Sequence, residues 1–153
     1  DEPKQQFSSV KNVESEEKVP FYNAFASAGF GAINTDVYKP DDYIGLSQQW
    51  LTQRGLNRNG LMFIMASGDS MYPTINDGDM LLINRNATTP RDGKIYVVRS
   101  GEQLWVKRVQ GIINGIRLIS VNKATYSSID AYFDESLDFE VIGQVVFIGR
   151  DTI

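Results

Sequence analysis

The sequence contains neither cysteine nor histidine. Without cysteine, the chain can form no disulfide framework and no thiolate nucleophile. Without histidine, it cannot build a Ser-His-Asp triad, and it lacks the most common ligand of zinc hydrolases, so we expect no metal and no cofactor. Any acid–base chemistry near neutral pH must therefore use lysine, aspartate, glutamate or tyrosine with a shifted pKa.

Long apolar runs and clustered cations are also missing. No stretch approaches the roughly 18 consecutive apolar residues that a membrane helix needs, and the polar N-terminus does not resemble a signal peptide. The net charge is −4 without a stripe of Lys or Arg, so the chain by itself should bind nucleic acid poorly. We expect a globular, cytoplasmic protein that makes no contact with membranes.

The composition changes near Val19. Residues 1–18 are polar and charged, which predicts a linker from an upstream segment that is not in this chain, and 19–153 then form one domain. Within that domain, residues 24–34 are rich in small side chains, around the sequence ASAGFGA. Such a segment can lie extended in a groove because its backbone can approach closely. Its composition alone is equally typical of a flexible loop.

Short apolar runs separated by turn signals fill the chain from Leu61 onward, and Ser100-Gly101-Glu102 and Asn114-Gly115 are typical hairpin turns. The runs are LMFIMA (61–66), MLLINR (80–85), KIYVVRS (94–100), QLWVKRVQ (103–110), GIRLISV (115–121) and FEVIGQVVFIGR (139–150). This pattern predicts a mainly β domain with a strongly bent or barrel-like sheet and at most one or two short helices.

One helix is predicted before these strands. Tyr43, Leu46, Trp50 and Leu51 fall at i, i+3, i+7 and i+8, which is the spacing of an amphipathic helix. Alternatively, Ser47 caps a shorter helix that contains only Trp50 and Leu51.

A candidate nucleophile lies in the segment ASGDSMYPTINDGDMLL, residues 66–82. An apolar strand runs there into a glycine-containing turn with Ser70, which can expose a hydroxyl at the edge of a cleft. The backbone N–H groups of such a turn can receive an oxyanion. A plain turn explains SGDS equally well, and Asp77-Gly78-Asp79 is typical of a tight turn before a strand.

A serine nucleophile needs a base, and a neutral lysine is the natural candidate in a chain without histidine. Burial must then lower the lysine pKa. Strand alternation puts Lys107 on the same face as Trp105 and Val109, between large apolar side chains. Lys94 is the alternative, but it follows a turn where solvent is expected. Either lysine could also be an ordinary surface residue whose stem alone is covered.

Together these segments resemble the serine–lysine peptidase domain of LexA, UmuD and the phage repressors, the S24-type family, and most closely its phage-repressor branch. The matching residues are ASAG, SGDSMYPTINDGDMLL and LWVKRV, in that order along the chain, and Ser70 and Lys107 are 37 positions apart (107 − 70). The likeness extends from Val19 to Arg150.

The resemblance implies a LexA-like fold, also similar to that of signal peptidases, and self-cleavage of the Ala28–Gly29 bond. Ser70 would attack the carbonyl of Ala28, Lys107 would take the serine proton, and backbone N–H groups of Asp69 and Ser70 would form the oxyanion hole. The Asp69 carboxylate is assigned no chemical role.

The resemblance also implies partners. The domain would form homodimers or higher homo-oligomers, and an upstream domain would bind operator DNA. The trigger of cleavage would be a RecA filament, as in the SOS response, or an antirepressor protein. Cleavage would separate the DNA-binding domain from the dimerising domain. DNA binding would weaken, because the two half-site contacts would no longer be linked in one dimer.

Three alternatives remain at this stage. The first is a UmuD-like self-processing subunit of a translesion polymerase, and the second is a dimerisation module of the same fold that does not cleave. The third is a signal-peptidase-like enzyme acting on other proteins, which the lack of a membrane segment disfavours.

Overall fold

A computed structural model of the chain describes residues 15–23, 39–134 and 138–152. In these ranges the chain forms nine strands and one short helix. The strands are β1 (Glu16–Tyr22), β2 (Asp42–Ser47), β3 (Leu61–Met65), β4 (Met80–Asn84), β5 (Ile95–Ser100), β6 (Gln103–Ile112), β7 (Gly115–Ile119), β8 (Ile129–Tyr132) and β9 (Phe139–Gly149), and the helix is α1 (Gln48–Gln53). The prediction of a mainly β domain with one or two short helices is confirmed.

The strands form a single sheet in the order β2-β1-β3-β4-β9-β5-β6-β7-β8. All neighbours are antiparallel except β1 and β3, which are parallel. The last strand, β9, joins the two halves because its first part pairs with β5 and its second part with β4. The register shifts between Leu82 and Ile83 and between Val97 and Val98. Such bulges bend a strand and increase its twist.

The crossing of β9 from β5 to β4 requires a glycine. A Cβ atom on Gly143 would lie 2.6 Å from the carbonyl oxygen of Asn84. No side chain fits at that distance, so the backbone of β9 can approach β4 only with glycine at this position.

Buried side chains form clusters on the two halves of the sheet. Strand β6, which carries Lys107, contributes side chains to two of them. Leu104 and Val106 belong to one cluster, and Val109 and the partly buried Trp105 belong to the other. A third cluster packs α1 against the β2–β1–β3–β4 end, with Leu51 as the fully buried helical residue.

The first part of the chain differs from the predictions. Residues Glu16–Lys18, which we placed in the linker, belong to β1, while residues 1–14 lie outside the described part. Tyr43 and Leu46 are in β2 and not in a helix. The amphipathic-helix prediction is therefore wrong, because pairing with β1 overrides the helical spacing of these side chains.

The alternative prediction of a shorter helix is correct. Ser47 is the N-cap of α1, and its Oγ accepts a hydrogen bond of 3.2 Å from the backbone N–H of Trp50. The strands β1, β2 and β8 had no separate prediction. Each lies near an edge of the sheet or pairs over few residues, where the apolar pattern is weak.

Candidate active site

The turn that carries Ser70 connects β3 to β4 and is closed by backbone hydrogen bonds. The Ala66 N–H donates to the carbonyl of Asp79 (2.8 Å), and the Gly78 N–H donates to the carbonyl of Ala66 (2.9 Å). Within the turn, Gly68 has a φ of +86° and its N–H donates to Oδ1 of Asp77 at 2.8 Å. Asp77 thus stabilises the turn itself. Ser70 lies half-buried after this glycine.

The base of the turn is held by an ion pair between a buried carboxylate, Asp79, and an exposed arginine, Arg150. Asp79 is 1% exposed, and its carboxylate accepts hydrogen bonds from Nε (2.8 Å) and Nη2 (2.7 Å) of Arg150. Its Oδ2 also accepts from the Asn76 N–H at 2.7 Å. The Arg150 hydrogen bonds lower the pKa of Asp79, so the carboxylate stays charged. The end of β9 is therefore tied to the nucleophile turn.

Lys107 lies in the middle of β6, where the sequence placed it. Its side chain is buried (8% exposed), and burial lowers its pKa because the charged ammonium loses hydration. Val109 and Trp105, two positions away on either side, belong to one apolar cluster, which agrees with the predicted face. Lys94, the alternative base, is exposed.

Ser70 and Lys107 line the same small cavity of about 160 Å³. Slightly more than half of its wall is apolar. The lining side chains that give it this character are Ala66, Met71, Ile75, Leu104, Trp105 and Val106. A cavity of this size accepts a small side chain beside the Ser70 hydroxyl.

The hydrogen bond of the lysine goes to a residue that the sequence analysis missed. Nζ of Lys107 lies 2.8 Å from Oγ of Ser120, which is also buried. Among the hydrogen bonds of the described residues, none involves Oγ of Ser70. A neutral amine that donates one N–H to Ser120 keeps its lone pair available for the proton of Ser70.

Ser120 was accessible to sequence reasoning. The Asn114-Gly115 turn signal sets the register of the β6–β7 hairpin, in which Ile112 faces Gly115 and Arg108 faces Ile119. One more step along both strands brings Ser120 opposite Lys107. The predicted turn therefore fixes the pairing of Ser120 with Lys107, but this pairing is found only by counting the register past the end of β7.

Two further residues of the same connection contact the nucleophile turn, and no sequence signal marks them. The Asn122 N–H donates to the carbonyl of Ser70 (3.0 Å), and Nδ2 of Asn122 donates to the carbonyl of Asp69 (3.2 Å). Oη of Tyr126 donates to Oδ1 of Asp69 at 2.5 Å. In the described part of the chain, the N–H groups of Asp69 and Ser70 have no hydrogen-bond acceptor, as predicted oxyanion donors require.

The predicted cleavage site lies outside the described residues. Ala28 and Gly29 fall in the segment 24–38, which separates β1 from β2. A separate groove of about 660 Å³ is lined by residues of β1, β2 and β3, among others, and shares none with the Ser70 cavity. It holds cations such as Arg58 and Arg85 but no candidate nucleophile.

The fold and this cavity define a class: a mainly β domain in which a turn serine and a buried strand lysine line one cleft. Comparison with known families agrees, since residues 20–146 match the family described as Peptidase S24-like. The chain belongs to this family, which includes LexA, UmuD and the phage repressors.

A curated relative extends the comparison. The chain is 39% identical over 127 residues to an uncharacterized HTH-type transcriptional regulator of Haemophilus influenzae. The match covers 83% of this chain but 53% of that protein, so the chain spans about half of the relative's length.

None of the described residues forms a helix with the length and apolar character that a membrane span requires.

Proposed function

We propose that this chain is the C-terminal domain of a transcriptional repressor that inactivates itself by cutting its own Ala28–Gly29 bond. The observation that carries the proposal is the shared cavity of Ser70 and the buried Lys107, whose pKa burial lowers. Membership of the S24-like family supports peptidase chemistry, and the relative named as an HTH-type transcriptional regulator supports a regulatory role.

In the first half of the reaction, Oγ of Ser70 forms a bond to the carbonyl carbon of Ala28 while its proton passes to neutral Lys107. The tetrahedral oxyanion is received by the N–H groups of Asp69 and Ser70. The bond between Ala28 and Gly29 then breaks, and the Lys107 ammonium returns the proton to the departing amine of Gly29. The product is an ester between Ala28 and Ser70.

In the second half, a water molecule loses its proton to Lys107 and attacks the ester carbonyl. The proton returns to Oγ of Ser70, and Ala28 is left with a free carboxylate. The first half of the reaction, up to the ester, is intramolecular, and tethering supplies a high effective concentration of substrate. Ala28 precedes Ser70 by 42 positions (70 − 28), which is enough for the segment to fold back into the cleft.

Incubation of the purified chain between pH 7 and pH 10, followed by mass spectrometry, tests the proposal. We expect fragments 1–28 and 29–153, formed faster at higher pH, and no cutting in Ser70→Ala. The Ser67→Ala variant changes the other serine of the same turn and should still be cut. A folded wild-type chain that stays intact at every pH would instead favour the non-cleaving dimerisation module.

We further propose that the domain forms homodimers or higher homo-oligomers and that a helix-turn-helix segment upstream of it binds operator DNA. Sedimentation of Ser70→Ala, which cannot cut itself, would measure the oligomeric state. The sequence of the full gene product separates the repressor from the UmuD-like alternative, because only the repressor carries the DNA-binding segment. Addition of a RecA filament or of an antirepressor would identify the trigger.

A further inference from the structure

The connection that follows β7 contacts both halves of the candidate site. We call residues 120–126 the strap. Its first residue, Ser120, accepts the hydrogen bond of Lys107, and its last residue, Tyr126, binds Asp69, next to the nucleophile. Asn122 lies between them and binds two carbonyls of the nucleophile turn. Asp69 and Asn122 are 53 positions apart, so only the fold brings them together.

The Asn122 side chain acts on a particular peptide group. The carbonyl of Asp69 and the N–H of Ser70 belong to one planar peptide unit, and they point in opposite directions. The 3.2 Å hydrogen bond from Nδ2 to that carbonyl therefore also fixes the direction of the Ser70 N–H. Oxyanion donors contribute most when their direction is set before the reaction. A second bond, from the Asn122 N–H to the Ser70 carbonyl, holds the next peptide unit.

The Tyr126 side chain contacts the Asp69 carboxylate and lies near the amine of Lys107. Its hydroxyl holds the Asp69 carboxylate, and the centre of its ring lies 5.6 Å from Nζ of Lys107. The hydrogen bond to Asp69 also raises the pKa of Tyr126, so the hydroxyl remains a donor under alkaline conditions. A carboxylate next to the oxyanion hole opposes the developing negative charge, and the hydrogen bond from the Tyr126 hydroxyl offsets part of that effect. An aromatic ring face attracts an ammonium, which Lys107 becomes after it takes the serine proton.

We propose that Asn122 and Tyr126 are positioning residues for self-cleavage: Asn122 aims the Ser70 N–H at the oxyanion, while Tyr126 holds the Asp69 carboxylate and supports the Lys107 ammonium. This inference rests on the proposed function, because it concerns the same reaction. It also gives Asp69, whose side chain had no role in the sequence analysis, a function as the partner of Tyr126.

The Asn122 part is tested by single-turnover cleavage of Asn122→Asp and Asn122→Ala. Both variants keep the backbone N–H but lose the side-chain donor, so we expect the rate at the alkaline plateau to fall about 10- to 100-fold. Asn57→Ala, at an exposed asparagine between α1 and β3, is the matched control and should cut like the wild type. Thermal melts show whether each variant is folded.

The Tyr126 part is tested with two substitutions. Tyr126→Phe keeps the ring and removes the hydroxyl, so the plateau rate should fall about 10-fold without a change in the midpoint of the pH profile. Tyr126→Leu also removes the ring, so its midpoint should move to lower pH, because the ammonium form of Lys107 loses support. Among the described residues, the other polar or titratable groups near Lys107 are Ser120, Ser70 in the shared cavity, and Tyr96, its cross-strand neighbour on β5. Asp69 lies behind the Tyr126 hydroxyl. Tyr43→Phe, an exposed tyrosine on β2, is the control.

A double-mutant comparison separates the proposed contact from a general loss of structure. In the Asp69→Ala background, Tyr126→Phe should have no further effect on the rate, since the acceptor is already gone. Equal slowing in both backgrounds, or wild-type rates for the Asn122 and Tyr126 variants, would overturn the inference and leave the proposed function standing. A folded wild-type chain that never cuts would overturn both.

Discussion

Nζ of Lys107 donates a hydrogen bond of 2.8 Å to Oγ of Ser120, and both side chains are shielded from solvent. This contact orients the amine that we propose as the base. In Ser120→Ala we expect the plateau rate of self-cleavage to fall roughly 2- to 13-fold, since a buried hydrogen bond contributes about 0.5–1.5 kcal/mol. Ser120→Thr keeps the hydroxyl and should recover most of the rate. Ser128→Ala, an exposed serine nearby in sequence, should have no effect. A Ser120→Ala chain that cuts like the wild type at every pH would contradict this role.

The protonation state of Lys107 predicts the pH dependence of cutting. Burial lowers the pKa of Lys107, so the neutral amine becomes available at a lower pH than for an exposed lysine. The logarithm of the rate should rise about one unit per pH unit and then level off near this pKa. Lys107→Arg keeps the positive charge and should remain uncut over the whole range, whereas Lys94→Arg at the exposed alternative should cut normally. Gel densitometry of timed samples is sufficient. A profile unchanged in Lys107→Arg would exclude Lys107 as the base.

The same burial predicts a cost in stability. A lysine whose pKa is lower in the folded chain binds its proton less tightly there than in the unfolded chain, so stability rises with pH between the folded and unfolded pKa values. Below the folded pKa the lysine is charged in both states, so the full cost of burying its charge is present. Lys107→Met removes the charge at similar length, and we expect its Tm at pH 7 to exceed that of the wild type by roughly 2–5 °C. This difference in Tm should shrink as the pH approaches the ordinary pKa of lysine. A less stable Lys107→Met chain at pH 7 would show that the ammonium is well stabilised in its site.

The ion pair between Asp79 and Arg150 predicts a second stability effect. The Arg150 hydrogen bonds lower the pKa of Asp79, so their contribution is present above the unfolded pKa of the carboxyl group. It is lost as the pH falls through the lower, folded value. Arg150→Met leaves a buried carboxylate without its partner, and Tm at pH 7 should fall by roughly 5 °C or more.

Two observations check the origin of that effect. The exposed Arg91 offers a control, since Arg91→Met removes a cation without touching Asp79 and should change Tm little. The deficit of Arg150→Met should also diminish under acid conditions that protonate Asp79. A deficit that stays constant down to pH 2 would mean that packing of the arginine stem, and not the ion pair, stabilises the turn.

The small cavity beside Ser70 predicts which residue can precede the cut bond. A benzene ring alone fills a cavity of about 150 Å³, so the roughly 160 Å³ beside Ser70 can hold the Ala28 methyl group together with its carbonyl but not a phenyl ring as well. Ala28→Phe should therefore slow cutting at least about 100-fold, because a displacement of the carbonyl by about 1 Å costs that much. Thr35→Phe adds the same bulk outside residues 24–34 and serves as the control. Mass spectrometry of timed samples would measure the rate and the position of cutting. Cutting of Ala28→Phe at the same bond and at the wild-type rate would show that another site receives this side chain.

Much of this domain was predictable because its information is local. The apolar runs of β3 to β7 and β9 alternate or are continuous over a few residues, and the Gly101 and Asn114 turns mark their ends. The same local alternation placed Lys107 between apolar neighbours, and the glycine after β3 marked the turn with Ser70. Where two local signals competed, as for Tyr43 and Leu46, the sequence could not choose, because strand pairing with β1 decided the outcome.

The sequence by itself determined the strands β3 to β7 and β9, the nucleophile turn and the face of β6 that carries the lysine, since each depends on residues a few positions apart. Only the tertiary structure decided that Arg150 reaches Asp79, 71 positions away, and that Asn122 and Tyr126 reach the turn of Ser70. The strap has no periodicity for a pattern to reveal. In the sheet β7 is four positions from β4, so these contacts exist only because the chain after β7 returns to the turn between β3 and β4. Hydrogen bonds then form wherever donors and acceptors are brought together out of water.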